Sequence, residues 1–409
     1  MSFKKFVFQL HKILGLTTGL VVFIVAITGC CWAFRDEIES IYDDYKKVAP
    51  QNQPILTPTQ AKQLAKNVFP NNTVHGTVFK KADDAIEVIF YDAEPEFYQS
   101  VFLNPYTGAV IQVDNHLSGF FAFILKGHMR LWLPKAIGEQ VVGASILIFI
   151  CIIISGFILW IPKKKKNLKQ RVTFNWKNTT RWKRKNFDLH TVIGFYVCAL
   201  ALVLAFTGSV MSYNWLKYVV YKSTGGEKVP AFIIPENKSE HTTHNDVVPM
   251  DLLIVKLLKE NPEAEAYELH YPKTKDESIY VEVSNSKGLY YDADYRFFDQ
   301  NTLEEIETPA IYGKYKDAKV ADKILRMNYD IHIGAIGGIA GKIIAFIVSL
   351  LTASLPITGI LLWYGRNYKK RISRDFKENN LIIYYPSFAP FLSAVGTSST
   401  SKGLPKYTN

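Results

Sequence analysis

Two apolar stretches of this chain share one frame, and that frame restricts the fold more than any other feature. Leu10–Gly29 reads LHKILGLTTGLVVFIVAITG, and Leu189–Gly208 reads LHTVIGFYVCALALVLAFTG. In each, a histidine (His11, His190) is followed at plus four by glycine (Gly15, Gly194). Thr-Gly follows at plus seventeen and eighteen (Thr28-Gly29, Thr207-Gly208). Matched positions at identical spacing indicate an internal duplication. No charged residue occurs from Ile13 to Phe34 or from Thr191 to Tyr213. Crossing a hydrocarbon core takes about 20 residues at roughly 1.5 Å each. Four runs are long enough: Ile13–Phe34, Ile137–Ile161, Thr191–Tyr213 and Ile333–Tyr364.

Charge sets the orientation. The net charge is +11, and Lys163–Lys185 holds eleven Lys/Arg with no Asp or Glu. Lys4, Lys5 and Lys12 precede or open the first run, and Arg366, Lys369, Lys370, Arg371 and Arg374 follow the fourth. The positive-inside rule places all of these, and both termini, in the cytoplasm. The excess sits beside membrane spans, so its expected neighbours are lipid headgroups and not nucleic acid. The first apolar run exceeds the roughly 7–15 residues of a signal-peptide core. Ile27-Thr28-Gly29-Cys30 loosely resembles a lipoprotein cleavage site, but the same Thr-Gly recurs at 207–208 without a cysteine. Cys30, Cys31, Cys151 and Cys198 all lie in or at the ends of spans, so the polar segments carry no disulfide scaffold and no C-x-x-C-H haem attachment.

The two polar segments read alike. In the first, Thr57–Phe69 is an expected helix, with Thr57 or Thr59 as cap. Strands follow at Val74–Phe79, Ala85–Tyr91, Gln99–Leu103 and Ala109–Val113, with a turn through Asn104–Gly108. In the second, Met250–Glu260 is an expected helix. Ala264–Tyr271, Ser278–Val283 and Gly288–Phe298 are expected strands, with Asp299–Thr302 as the turn. The expected fold class is an α+β membrane protein with four transmembrane helices in two tandem repeats and two small α+β outer domains. Its divisions are 1–34 (first span), 35–127 (first outer domain), 128–162 (second span) and 163–187 (basic cytoplasmic loop). The second repeat follows as 188–213 (third span), 214–330 (second outer domain) and 331–365 (fourth span), with 366–409 as a cytoplasmic tail.

FLNPYTGAVIQV (102–113) resembles the end of a PepSY domain, where a strand reaches an aromatic-Thr-Gly turn. The L-H-x3-G…T-G spans resemble the PepSY-associated transmembrane family of bacterial inner-membrane proteins. The resemblance runs from His11 to Arg366. The second outer domain departs from it, with Gln300-Asn301-Thr302 in place of Pro-Tyr-Thr. The resemblance implies two PepSY-like periplasmic domains and iron-linked physiology, since members resemble haem-containing reductases of ferric siderophores.

The even-numbered spans are related as well. Gly138 precedes Gly156 by eighteen residues and Trp160 follows by four; Gly341, Gly359 and Trp363 repeat that spacing. Ser155 and Thr358 stand just before the later glycines. His128 lies ten residues before Gly138, and His332 nine before Gly341. His11 and His190 therefore start outward-going helices near the cytoplasmic face, and His128 and His332 start inward-going helices near the outer face. A lone histidine at a helix end is more often interfacial than a ligand. Repetition in both halves at matched depth favours ligation here, because an imidazole near the bilayer core needs a partner. Two imidazoles from different helices form an axial pair for haem iron. The expected cofactors are two non-covalent b haems, one held by His11 and His190 and one by His128 and His332. Gly15 and Gly194 would leave room for the macrocycle. Lys12, Arg184 and Lys185 are candidate partners for inner propionates, and Arg130 or Arg326 for outer ones.

His75, His116, His241, His244 and His270 fall in the outer segments. His241 and His244 form an H-x-x-H in a polar loop, without the glutamate of a thermolysin-like site. GAIGGIAG (334–341) lacks a preceding strand and reads as close helix packing, not as a dinucleotide fingerprint. The cytoplasmic loop is too short for a nucleotide domain, so electrons need a cytoplasmic donor such as a flavoprotein, or quinol. The expected function is an inner-membrane di-haem protein that reduces ferric iron or ferric siderophores on the periplasmic side, in contact with membrane lipid. The alternatives are a non-redox PepSY regulator or sensor of peptidases, and an iron-chelate transporter.

Overall fold

A computed structural model describes residues 2–239, except 163, 165 and 167, and residues 249–378, with side chains to 366. His241 and His244 lie outside the described residues. The chain opens with α1 (Phe3–Ala33), α2 (Arg35–Glu39) and α3 (Pro58–Lys66), then β1 (Val74–Phe79), β2 (Ile86–Asp92), β3 (Phe97–Leu103) and β4 (Val110–Asn115). Helices α4 (Gly119–Arg130), α5 (Lys135–Trp160), α6 (Lys169–Val172), α7 (Trp182–Asp188), α8 (Gly194–Ser212), α9 (Asn214–Ser223) and α10 (Pro249–Glu260) follow. The second polar segment supplies β5 (Ala266–His270), β6 (Ile279–Ser284), β7 (Asp294–Phe298) and β8 (Glu305–Ile306), before α11 (Val320–His332) and α12 (Gly338–Glu378). Residues to Trp363 form one compact unit, and those from Tyr364 a second.

Four helical stretches are long and apolar enough to cross a membrane: Phe3–Ala33, Lys135–Trp160, Trp182–Ser212 and Ala335–Arg366. This is a multi-pass membrane protein. The first and third spans begin nearly three turns earlier than their apolar runs, because Lys4, Lys5, Lys183 and Lys185 are good helix formers and extend the helix into the polar zone. Lys4 Nζ donates to the carbonyl of Ile161 at 2.7 Å, tying the start of α1 to the end of α5.

His128 and His332 do not start spans. Each lies in the last turn of a separate amphipathic helix, α4 or α11. After α4 the chain reverses through Leu131 (φ 52°) and Trp132 (φ 58°). The Trp132 indole folds back over Gly127 and donates to Phe123 O at 2.8 Å. After α11 the reversal uses Gly334 (φ 80°), where a Cβ would stand 2.5 Å from Gly341 O. Pro134 and the glycine run are what interrupt the helices. The two different turns account for the one-residue difference between the His128–Gly138 and His332–Gly341 spacings.

The expected outer domains each hold a helix and antiparallel strands, but their strands form one eight-stranded sheet of order β4-β3-β2-β1-β5-β6-β7-β8. The halves meet where β1 pairs antiparallel with β5: Gly76 opposite His270, Thr77 opposite Leu269, Val78 opposite Glu268. Helix α3 starts at a capping box, in which Thr57 Oγ1 accepts from Gln60 N and Gln60 Oε1 from Thr57 N. Helices α3 and α10, the latter through Leu253 and Leu257, cover one sheet face over Val88, Phe90, Val101, Leu103, Leu269, Val281 and Phe298. The strand alternation turns Glu87, Glu268, His270, Tyr280 and Glu282 to the opposite face. On that face Phe102 meets Tyr45 of the segment after α2 at 5.1 Å, and Tyr295 lies under Arg326 of α11 at 5.2 Å. The strand expected from Gly288 begins only at Asp294, because Asn285 and Ser286 hydrogen-bond Asp292 and fold 285–292 into turns.

Candidate functional site

The four span-associated histidines meet as two pairs. His11 lies eight residues inside α1, and His190 eight residues after Trp182. Their ring centroids are 6.3 Å apart, with planes at 78°. His190 sits in a π-helical turn, Leu189–Ile193, that joins α7 to α8. Such single turns recur at functional sites. On the sheet side, His128 of α4 and His332 of α11 stand 6.1 Å apart at 59°. The two levels are separated by the eighteen residues from His11 to Gly29, about 27 Å of helix.

Each ring rests on a glycine that follows a hydroxyl residue. A Cβ on Gly156, Gly29, Gly208 or Gly359 would come within 3.1, 3.2, 3.0 or 3.4 Å of Cε1 of His11, His128, His332 or His190, respectively. The seat always comes from the same half of the chain. His11 lies on α5 and His128 on α1; His190 lies on α12 and His332 on α8. Each pair then joins one histidine from each half.

The hydroxyl sets the tautomer. Thr28 Oγ1 donates to Ile24 O at 2.7 Å, Thr207 Oγ1 to Val203 O at 2.8 Å, Ser155 Oγ to Ile152 O at 3.0 Å and Thr358 Oγ1 to Leu355 O at 3.0 Å. With its proton committed, each oxygen accepts from the imidazole. Nδ1 donates to Ser155 in His11 (3.0 Å), Thr28 in His128 (3.3 Å), Thr358 in His190 (2.9 Å) and Thr207 in His332 (3.0 Å). In three of them Nδ1 also donates to a carbonyl: Ile152 (3.1 Å), Val25 (2.9 Å) and Leu204 (3.0 Å). A carbonyl only accepts, so Nδ1 carries the proton and the neutral ring keeps its lone pair on Nε2.

The arrangement fits a metal held between two imidazoles. Two metal–nitrogen bonds of about 2.0–2.1 Å, plus about 1.1 Å from each nitrogen to its ring centre, give roughly 6.2–6.4 Å between centroids. The observed 6.3 and 6.1 Å agree. Among the described residues no group of three or more His, Cys, Asp or Glu is arranged to hold a metal ion. A metal in these pairs would have to bring its remaining ligands with it, as haem iron does.

The sequence model of the PepSY-associated TM region matches residues 8–366. The chain belongs to this family. No curated protein matches it.

In this PepSY-associated membrane protein a further motif precedes two of the four histidines. Asn186-Phe187-Asp188-Leu189-His190 and Asn328-Tyr329-Asp330-Ile331-His332 share N-aromatic-D-aliphatic-H, and that signal was legible. Asn186 Nδ2 donates to Thr358 O at 3.1 Å, and Asn328 Nδ2 to Thr207 O at 3.0 Å. Each asparagine thus clamps the residue whose hydroxyl receives the histidine one turn later. The buried carboxylates are anchored too: Asp188 by Arg184 (2.9 Å) and Trp176 (3.1 Å), Asp330 by the backbone N–H of Tyr291 (2.8 Å). Arg184 is therefore engaged by Asp188. The Arg326 guanidinium donates to the carbonyls of Ala293 and Gly313 and braces the loop before β7.

Two cations not foreseen near the sheet-side pair are Arg35 and Lys342. With Trp32, Asp36, Tyr290, Tyr329 and Ile333 they line a small cavity. Lys342 is the one charged residue within the fourth apolar run and pairs with Glu37 at 2.8 Å.

A second titratable cluster lies on the open sheet face. His75 and His270 approach to 4.8 Å between ring centroids at the β1–β5 seam. His270 Nε2 stands 3.2 Å from Glu268 Oε1, and its ring stacks on Tyr280 at 4.3 Å. Burial, then the neighbouring His270, hold the His75 imidazole below its ordinary value. Burial works to raise Glu268, but the hydrogen bond from His270 and the neighbouring His270, His75 and Lys80 together hold it below its ordinary value. Burial, with Glu268 nearby, pushes Glu282 up. His116 lies apart, bonded to Ser100 at 2.8 Å.

Proposed function

We propose that this protein is a two-haem electron conduit of the bacterial inner membrane that reduces ferric iron or ferric siderophore complexes on the periplasmic side. The observation that carries the reading is the geometry of the histidine pairs: two sets of paired imidazoles, at axial-pair separation, each with Nδ1–H donated to a Ser or Thr hydroxyl. His11 and His190 would hold one b haem, and His128 and His332 the other. Bound there, the haems supply one-electron couples at two levels of the membrane.

The chain's own groups do the rest. The Nδ1–H bonds fix each ring and raise the basicity of Nε2, as outer partners of ligating histidines do. Gly29, Gly156, Gly208 and Gly359 let the rings approach the helices. The basic segment 163–187, read by the positive-inside rule, supports a cytoplasmic side for the His11/His190 level and for both termini. Electrons would enter there from a cytoplasmic donor or quinol. The sheet then faces the periplasm, where iron reduced to Fe(II) is held less well by hard oxygen chelators.

An absorption spectrum of the detergent-purified protein, oxidised and dithionite-reduced, with haem quantified, tests this. A sharp reduced α-band and one haem for each histidine pair are expected. A colourless protein after expression with ample haem would remove the conduit, and would favour a regulatory role for the PepSY-like region.

A further inference from the structure

We propose that the open face of the eight-stranded sheet seats the ferric complex, and that His75 and His270 protonate the chelator's oxygen donors as iron leaves. This rests on the reductase reading above. The face opposite α3 and α10 is half-buried at its seam: the Tyr280 ring is buried, His270 is 15% exposed and Glu268 31%, so its imidazoles, carboxylates and phenols form a partly desolvated cluster that water still reaches. The register puts His75 and His270, one from each half, side by side at its middle. Arg326 of α11 lies over Tyr295 on this face, six residues before His332, so the face and the sheet-side histidine pair share that helix. Tyr280 stacks on His270 and donates to Glu282 at 2.9 Å, so one contiguous polar chain runs from His75 through His270 and Tyr280 to Glu282.

Hard chelators hold Fe(III) through deprotonated oxygens. When one electron converts Fe(III) to Fe(II), the Fe–O bond breaks and its electron pair stays on oxygen. That oxygen then takes a proton: R–O⁻–Fe(III) plus e⁻ plus H⁺ gives R–OH and Fe(II). The electron comes from the sheet-side one-electron donor proposed above. The proton comes from a histidine imidazolium, which is recharged from solvent. Imidazole is the side chain whose protonation changes near neutrality. The groups facing the pair are Tyr91 and Asp92 of β2, Glu268 and Lys273 on and after β5, Tyr280 and Glu282 of β6, Lys80 after β1 and, beyond Glu282, Arg326 of α11. Burial of His75 makes its cation the readier donor, and Glu268 Oε1 lies 3.2 Å from His270 Nε2.

The test uses the full-length, haem-loaded protein and the variants His75→Gln and His270→Gln, with haem per chain as the folding control. Oxidation of the dithionite-reduced protein is timed with two oxidants. Ferricyanide keeps its ligands on reduction and needs no proton; ferric tris(acetohydroxamate) releases protonated ligand. Removing a general acid typically costs about 10²-fold or more, so hydroxamate rates should fall at least about tenfold and lose their rise toward acid pH, with ferricyanide rates unchanged. If both oxidants keep wild-type rates, or both slow together, proton donation is overturned. Independently of redox activity, the inert gallium(III) tris(acetohydroxamate) should protect His75 and His270 from diethyl pyrocarbonate, read by mass spectrometry. Unchanged labelling overturns the seat. Protection in a protein that binds no haem would keep the seat and remove the electron path.

Discussion

The two halves of the membrane region hold their histidines with the same device but not with the same firmness. In both, a glycine receives the ring and a preceding Ser or Thr receives the Nδ1 proton. The second half adds Asn186 and Asn328, which lock the carbonyl of that same threonine, and the anchored carboxylates Asp188 and Asp330. In the first half the corresponding positions, four residues before the histidines, are Val7 and Ile124. Each pair thus opposes one firmly held imidazole to one held by its own two acceptors. One histidine of each pair is held by the additional clamp, and its partner is not.

The largest effect that would break this comparison is loss of a clamped histidine. We predict that His190→Ala or His332→Ala empties its level of haem. His11→Ala or His128→Ala should instead leave a weakly held haem whose low-spin spectrum returns with added imidazole; haem per chain and spectra read the difference. Next come the seats. Small-to-large replacement in a packed site costs about 1–3 kcal/mol, so Gly29→Leu or Gly208→Leu should weaken haem retention at the sheet-side level by roughly 10–100-fold. The other level should be unaffected, as followed by haem transfer to apomyoglobin. Smaller still is the clamp. Asn186→Leu or Asn328→Leu removes a hydrogen bond worth about 0.5–1.5 kcal/mol and should speed haem loss a few-fold, whereas Val7→Leu or Ile124→Leu should change it little. Equal losses from both sets would erase the distinction between the halves.

The smallest effect lies in the sheet. Burial works to raise the Asp299 carboxyl, but hydrogen bonds from Ser239, Thr302 and Asn301 hold it well below its ordinary value. A carboxyl depressed on folding stabilises fully above its unfolded value, and that contribution fades as pH falls toward the folded one. The chemical-denaturation midpoint of the sheet should therefore drop on acidification below the usual carboxylate range. In Asp299→Asn it should start lower and lose that part of its pH dependence.

The spans and the histidines were legible because eighteen residues along a helix fix which polar groups recur at which depth. The seats were only half legible. Gly15 and Gly194 are one turn from their histidines, yet a Cβ on Gly15 would meet nothing within 4 Å. The glycines that touch the rings belong to other helices, and spacing within one helix says nothing of its neighbour. The fusion of the outer domains was hidden for the same reason, since β1 and β5 are nearly two hundred residues apart. The places of His128 and His332 at helix ends depended on the Leu131–Trp132 and Gly334 reversals. Lys342 escaped notice because a single cation does not disturb an apolar run of that length.

The most direct measurement of the central claim is low-temperature EPR of the oxidised, purified protein, with haem quantified on the same sample. Imidazole on both faces of the iron predicts low-spin ferric signals only, one haem for each histidine pair, with wide anisotropy because the ring planes stand at 78° and 59°. A high-spin signal in the wild-type protein, or no bound haem, would contradict the assignment of the four histidines.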